Sequence, residues 1–386
     1  MSLSYGHSTA QLLNLLWLTE NYPPQRGGMA VSCDRIVRSL RSLDVLVDTA
    51  HFSTRYKDWG FEKKSKGQHI SCPVREDIAH AMNRLWSLIG NNHYTHVVAF
   101  GGLLPMISAP VFSAWLNVPL VTMIRGNDFD TGIFSLKRGD VLRQALKASS
   151  VICAVSRDKV EKIRALFPQA KIEWTPNGID LTDWEFTVED FLSAKNWRDT
   201  ATENKRVLGL FGQLKRKKGG LFFVENLLRS GYANRFHLLL VGDAEAELIE
   251  LLETKREEIS YSILPFLDRY ELLPHYAACD MIVIPSFYDG LPNVLLETST
   301  LGIPALASNV GGMRDILTDN ETSILFSAGN EHDCRRAIER SANISLEDLK
   351  KLGANAREMV IKNFDQHKEA ERYLDIFKES LCTTDC

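Results

Sequence analysis

"MIVIPSFYDGLPNVLLETSTLGIPALAS", residues 281–308, reads as strand, turn, helix and strand in succession. The apolar run 281–284 stops at Pro285-Ser286, and a second short apolar run, "PALAS", occupies 304–308. Gly290 permits a tight turn, and Pro292 suits the first turn of a helix, where a missing N–H costs nothing. A buried strand that passes through a glycine turn into a helix and on to another buried strand is the repeating unit of a parallel sheet. Two acids interrupt the pattern. Asp289 sits in the turn, and Glu297 sits inside an otherwise apolar helix. Their presence there needs a chemical reason.

The same alternation runs outward along the chain. "LNLLWLT" (13–19), "HVVAFGG" (96–102), "PLVTMIRG" (119–126) and "VICAVS" (151–156) are short apolar runs bounded by turn signals. The first leads through the glycine loop "NYPPQRGGMA" into a helical stretch, "VSCDRIVRSLRSL". "TPNGID" (175–180) is a turn. Residues 186–203 are polar and weakly periodic, and read as a linker. Alternation then restarts with "RVLGLFG" (206–212) and "FHLLLVG" (236–242). Two successive alternating halves predict two doubly wound α/β domains, residues 1–185 and 204–363. The end of the chain, 364–386, reads as a helix with an apolar stripe at Tyr373, Ile376, Phe377 and Leu381. His93 and His96, ahead of the strand at 96–102, read as part of a surface turn.

Composition excludes several classes. At 386 residues the chain is long enough for two cores, and a net charge of −4 does not suggest a nucleic-acid partner. Charge is uneven: residues 1–185 carry 21 basic against 17 acidic residues, and the remainder 24 against 32. A mildly basic first half suits an anionic substrate or a membrane surface, and equally suits ordinary surface variation. Seven scattered cysteines with no Cys-x-x-Cys spacing read as reduced thiols, hence a cytoplasmic protein. "LLNLLWL" is too short to span a bilayer and has no basic leader, so any membrane contact is expected to be peripheral.

In open parallel sheets, ligands bind beyond the carboxyl ends of the strands. The helix start after Pro292 offers the backbone N–H groups of Asn293, Val294 and Leu295 at its positive end, a ready phosphate site. Glu297 lies four residues after Asn293, one turn lower on the same face. It can accept two hydrogen bonds from a vicinal diol, and Asp289 can do the same for another polyol. A diphosphate with a diol on each side is a sugar nucleotide. The strand "RVLGLFG" leads to Lys215, Arg216, Lys217 and Lys218, then Gly219-Gly220 and a helix. Cations between a buried strand and a glycine helix start can neutralise a diphosphate leaving group. In the first half, Gly27-Gly28 would bring backbone close to a ligand, and a plain turn is the alternative. Arg125 and Asp128, at the end of another strand, read either as contacts to the acceptor or transferred sugar or as a structural ion pair. Asp128-Phe129-Asp130 also spells Asp-x-Asp, a metal motif of a different architecture, and is discounted as a chance match. No Gly-x-Gly-x-x-Gly opens a helix, which argues against a dinucleotide oxidoreductase.

The stretch around Asp289 and Glu297 resembles the signature of retaining glycosyltransferases of family 4, which have the GT-B fold. Their frame is "PS…EG…E…A.G.P", and here Asp289 stands for the first Glu with the spacing to Glu297 kept. "GLFGQLKRKKGG" resembles the family's phosphate loop, "TPNGID" its "PNGVD", "LLPHYAACDMIVIPS" its "Y..AD..V.PS", and "ASNVGGMRDILTDNETSILF" its "VGG..E…DG..G.L". The resemblance covers about the whole chain and is densest in 205–330.

The resemblance implies two Rossmann-like doubly wound domains facing an interdomain cleft, with the last helix crossing back to the first domain. It implies transfer of a sugar from a nucleotide diphosphate sugar to an acceptor hydroxyl with retention, by front-face attack. The lysine-rich loop beside a helix start, with no metal-ligand cluster in the sequence, predicts that no divalent metal is needed, and no cofactor is expected. A UDP-sugar is the favoured donor, UDP-glucose among them. A polysaccharide, glycolipid or lipid-linked saccharide is the implied acceptor, placing the protein in the cytoplasm or peripherally at the inner face of the membrane. Lys218, Asp289, Glu297, Arg125 and Asp128 are the implied catalytic set. Gly27, Gly28, Gln213, Phe266, Gly290, Leu291, Pro292, Asn293 and Val294 are the implied donor-binding set. The chain departs from the family at Arg125, where His is common, at Gln213, where Arg is common, and at Asp289. A catalytically silent sugar-nucleotide binder and a sugar-nucleotide epimerase of the same fold are the alternatives those departures leave open.

Overall fold

The computed structural model describes residues 12–75 and 77–382, so Cys386, the first eleven residues of the first domain and the end of the last helix lie outside it. The chain forms two units. One runs to Cys153 and adds Ile163–Glu173 and the chain from Ala370; the other holds Ala154–Lys162 and Trp174–Glu369.

The first unit is built on an eight-stranded sheet in the order β3-β4-β2-β1-β5-β6-β7-β8. Its strands are β1 (Asn14–Thr19), β2 (Leu46–Ser53), β3 (Gly60–Lys63), β4 (Gln68–Pro73), β5 (His96–Phe100), β6 (Leu120–Ile124), β7 (Val151–Ala154) and β8 (Ile172–Trp174). β1 pairs in parallel with both β2 and β5, whereas β3 is an antiparallel edge. The strand order therefore reverses direction at β1/β5. Tyr373, Ile376 and Phe377 of the terminal helix, Gln366–Cys382, join the core beneath β1 and β5, as the apolar stripe predicted.

The second unit has a six-stranded sheet in the order β11-β10-β9-β12-β13-β14. Its strands are β9 (Arg206–Phe211), β10 (Phe236–Val241), β11 (Ser260–Leu264), β12 (Met281–Ile284), β13 (Ala305–Ser308) and β14 (Ser323–Phe326), all paired in parallel. Alternate residues of β10 feed two cores. Phe236, Leu238 and Leu240 pack on one face, and Leu239 and Val241 on the other. Burial on both faces is why 238–241 reads as a continuous apolar run, while the buried His237 meets the Ser260 and Ser262 hydroxyls. Here the order reverses at β9/β12.

Three local readings are corrected. Residues 186–203 are not a loose linker: they hold the helix Val188–Ala201, started by a reciprocal Thr187–Asp190 capping box. Its polar composition hid it, because only Asp190 and Ala194 of the helix are buried. His96 is not in a surface turn. It opens β5, is fully buried, and its Nε2 lies 2.9 Å from Ser380 Oγ. β2 escaped notice because a buried strand carries Asp48 and His51. Asp48 is compensated by bonds from the Gln68 N–H (3.0 Å), Gln68 Nε2 (2.9 Å) and Tyr94 Oη (2.7 Å).

Candidate active site

The switch point of the second sheet brings two loops side by side. The β9 loop passes Gly212 and a 3-10 turn, Arg216–Lys218, into the helix Gly220–Arg229. The β12 loop passes Pro285 to Pro292 into the helix Asn293–Thr300. The loops are stitched by the Phe287 N–H, which donates to the Lys217 carbonyl at 3.0 Å. Gly219 adopts φ 71°, and a Cβ there would collide with the Pro285 carbonyl, so only glycine fits on both counts.

Across this junction the Lys218 ammonium forms an ion pair with Asp289 Oδ2. The other carboxylate oxygen, Oδ1, accepts the Gly290 N–H at 2.9 Å, and Ser286 Oγ lies 3.5 Å from Oδ2. An ammonium has three donors. One is committed to Asp289, which aims the remaining two. The acidic turn is itself clamped by the "VGG" stretch. The Gly312 N–H donates to the Gly290 carbonyl, and a Cβ on Gly311 would strike the Asp289 carbonyl.

The helix after Pro292 begins at Asn293, with Pro292 as its cap residue and no side-chain cap. Of the three amides expected to be available, that of Leu295 is not: it donates to the Pro292 carbonyl at 3.1 Å. Leu291 is buried, and its carbonyl accepts from Asn177 Nδ2 at 2.7 Å. Asn177 Nδ2 also lies 3.4 Å from Asn293 Oδ1, so the "TPNGID" turn holds the helix start. One turn on, Glu297 Oε2 accepts the Tyr276 hydroxyl at 2.8 Å. Tyr276 is fully buried, against Phe211 at 4.3 Å between ring centroids and Trp184 at 5.9 Å. Burial, then the Glu297 charge, pushes its phenol well above the usual range, so it stays a donor.

Asp289 thus contacts both Lys218 and the Gly290 amide, and Glu297 shares a helix with Asn293 and Val294. Gln213 is exposed on the β9 loop, its carbonyl taken by the Lys215 N–H. Phe266 is partly exposed after β11. Sequence reasoning quoted the motifs that contain Tyr276 and Asn177 without assigning either a role; the signal was their place in "HYAACD" and "TPNGID".

Arg125, Asp128, Gly27 and Gly28 lie in the first unit. Arg125 is buried, its Nη1 donates to Tyr373 Oη at 2.8 Å, and its guanidinium lies over the Phe100 ring. Asp128 accepts the N–H groups of Arg125, Gly126 and Phe129 at 2.9, 2.7 and 3.0 Å. Burial raises its carboxyl pKa despite those bonds. Gly27 has φ 123° and opens the helix Gly28–Ser42, with open space where its Cβ would stand.

At the β1/β5 switch point of this unit a cavity of about 510 Å³ is lined by Asp128 with Glu20, Asn21, Gln25, Arg55 and Arg138, among others. Glu20 was not singled out in the sequence, although it directly follows the first strand. Its Oε2 accepts the Leu103 N–H at 2.7 Å, and burial raises its pKa. Among the described residues, no group of three or more His, Cys, Asp or Glu side chains is placed to hold a metal ion, and no helix is long and apolar enough to cross a membrane.

Two family models match the chain: glycosyl transferases group 1 over residues 205–343, and glycosyltransferase family 4 over residues 26–183. Among curated proteins, the chain is 23% identical over 239 residues to a UDP-Gal:alpha-D-GlcNAc-diphosphoundecaprenol alpha-1,3-galactosyltransferase of Escherichia coli, covering 59% of each. It is 24% identical over 258 residues to an alpha-maltose-1-phosphate synthase of Mycolicibacterium smegmatis, covering 62% of this chain and 65% of that one. The matches thus span less than two thirds of these relatives' own lengths. Among solved structures, a sucrose-phosphate synthase from Thermosynechococcus elongatus superposes with a TM-score of 0.80 at 18% identity, covering 96% of this chain and 100% of that one. Anabaena HepE, in complex with UDP and glucose, superposes with a TM-score of 0.72 at 17% identity, covering 95% and 99%. The fold is GT-B.

Proposed function

Because the chain belongs to the group 1, family 4 glycosyltransferases, we propose that it transfers a sugar from a UDP-sugar to a hydroxyl of a lipid-linked saccharide, with retention of anomeric configuration. The observation that carries the proposal is the Lys218–Asp289 ion pair beside the start of the helix Asn293–Thr300, with Glu297 held by Tyr276 on the next turn. The UDP-sugar donor is supported by HepE, whose complexes hold UDP and UDP-glucose, and by the name of the Escherichia coli relative. That name also supports a lipid-linked acceptor.

In this mechanism the diphosphate lies between the Lys218 ammonium and the Asn293 and Val294 amides, and Glu297 accepts the ribose diol. The bond from the sugar C1 to the diphosphate oxygen breaks, and the acceptor oxygen bonds to C1 on the same face. The acceptor proton passes to the departing diphosphate oxygen, so no protein nucleophile is required. Charge grows on the diphosphate as the bond breaks. A fixed cation there favours the transition state over the ground state, which is the condition for raising turnover. Asp289 positions Lys218 and presents its carboxylate to the transferred sugar.

The test is incubation with a panel of UDP-, GDP- and ADP-sugars, following nucleotide release and, with acceptor, the anomeric proton coupling of the product. Release from a UDP-sugar and a product of unchanged configuration are expected. Binding without turnover would select the catalytically silent reading, and an inverted product would remove the front-face mechanism.

A further inference from the structure

The loop between the short helix Asn127–Asp130 and the helix Gly139–Ala148 carries the two most exposed large apolar side chains among the described residues. Phe134 is 87% exposed and Leu136 is 97% exposed. Slack in the loop does not account for this. The Ile133 N–H donates to the Phe129 carbonyl (3.0 Å), that of Ser135 to Gly132 (3.0 Å), and that of Gly139 to Ser135 (2.7 Å). Ile133 is buried and anchors the turn. The backbone therefore presents Phe134 and Leu136 outward by construction, at a cost of hydrated apolar surface that calls for a partner.

Lys137 and Arg138 follow directly, both exposed; Arg138 lines the cavity with Glu20, and its charge acts on the Glu20 carboxyl. The nearby Asp140 faces Arg143, at 3.5 Å. The loop also forms part of the cavity wall at the β1/β5 switch point, through Thr131 and Arg138. An apolar tip, two adjacent cations and the wall of a pocket are thus carried on one short ordered segment.

Size decides the kind of partner. Two side chains offer on the order of 300 Å² of apolar surface, whereas a specific protein interface takes about 800 Å² from each partner. The residues around the tip, Thr131, Ser135, Lys137 and Arg138, are polar and do not extend the patch. Insertion into a lipid surface needs no extended complementary face, and flanking cations add attraction to anionic headgroups.

We propose that Phe134 and Leu136 insert at the headgroup boundary of an anionic membrane, with Lys137 on the lipid phosphates and Arg138 at the cavity wall. The adjoining cavity then meets the saccharide head of the acceptor where it leaves the bilayer. The acceptor part of this inference rests on the lipid-linked reading above; the membrane contact does not.

The experiment is co-sedimentation of the full chain with phosphatidylcholine vesicles, with and without phosphatidylglycerol, at low and high salt. Wild-type protein is expected to pellet with the anionic vesicles and to be released by salt. Phe134→Ser/Leu136→Ser should lower the vesicle partition coefficient at least about tenfold for each side chain removed, with an unchanged circular dichroism spectrum. Lys137→Gln should weaken binding to anionic vesicles only. Equal pelleting of wild type and the double serine variant would overturn the inference. So would self-association of the wild type, abolished by the serine variant, without vesicle binding. The readout needs no acceptor, so the two readings fail separately. Protein that binds vesicles but releases no nucleotide from any UDP-sugar overturns the proposed function alone, and protein that turns over but stays in the supernatant overturns the membrane contact alone.

Discussion

If Asp289 works through Lys218, removing both should hardly be worse than removing Lys218 alone. The perturbation is a double-mutant cycle over Lys218→Ala and Asp289→Ala. Lys218→Ala removes one preorganised stabiliser of developing charge, a loss typically of ~10²–10³-fold in turnover, or about 2.7–4 kcal/mol. Two unit charges about 4 Å apart at an effective dielectric near 20 attract by ~4 kcal/mol. The side chains of Lys218 and Asp289 are 30% and 16% exposed, so solvent reduces that figure. A coupling of roughly 1.5–3 kcal/mol remains. Asp289→Ala alone should therefore cost ~10²-fold, because the ammonium is no longer aimed and the contact to the sugar is lost. Independent effects would multiply to ~10⁴-fold or worse in the double variant, whereas coupled ones should leave it within about tenfold of Lys218→Ala. The assay is UDP-sugar consumption at saturating donor, with folding checked for each variant. Asp289→Asn, which keeps an oxygen for the Gly290 N–H but loses the charge, should fall between wild type and Asp289→Ala. Losses that multiply would refute the argument, and would mean that the two residues meet different parts of the donor.

Glu297→Ala should weaken UDP binding about 10-fold or more, the value of a hydroxyl bond to a charged acceptor; Tyr276→Phe should weaken it less, and unchanged calorimetric affinity in both would remove Glu297 from the ribose. Transfer should survive EDTA, since the Asp128 carboxylate is committed to three backbone N–H groups; loss of activity restored by manganese would bring Asp128-Phe129-Asp130 back as a metal site. Stability should fall on acidification. Burial holds His51, His69, His96 and His237 down to about 4. Below about pH 6.5 the unfolded chain takes up protons that the folded chain refuses, so stability is full above that pH and drains as it falls toward 4. Each histidine contributes a slope of up to about 1.4 kcal/mol per pH unit in that window. A urea midpoint that stays flat from about pH 7 to about pH 5 would contradict this.

The fold was legible where strands are buried on both faces and carry no polar residue. β12 fits that description throughout, and β9, β10 and β13 fit it over 207–211, 238–241 and 305–307; periodicity with turn residues located all four. β2 and the helix Val188–Ala201 do not fit it. β2 hides a carboxylate that only tertiary partners can satisfy, and a buried imidazole bonded to Tyr56. The helix buries little of its own surface, so its start depends on a capping box rather than an apolar stripe. In the candidate site, Lys218 and Asp289 could be named because each stands beside a glycine that marks a strand-to-helix turn, and Glu297 because it is an acid one turn into an otherwise apolar helix. Their partners could not. That Lys218 reaches Asp289 is a contact over 71 positions, and that Glu297 meets Tyr276 depends on how one helix lies on another. Local pattern carries no information about either.

Under the proposed function, the acids that interrupt 281–308 take distinct physical roles. A phosphate site made only of cations and helix N–H groups would bind a diphosphate strongly whether or not a sugar was attached. That is uniform binding, and it slows product release without speeding chemistry. A carboxylate paired to the lysine changes this balance. It holds the ammonium in one geometry and offsets part of its charge, while repelling an anion that settles too close. The lysine then gains most when charge increases on the departing oxygen, which is the moment of bond breaking. Glu297 meets a different constraint. A glutamate at a helix face can rotate away, and the buried Tyr276 hydroxyl fixes one of its oxygens at 2.8 Å. That bond sets the carboxylate's direction, so under the proposed function Glu297 would meet a diol at a fixed distance from the phosphate.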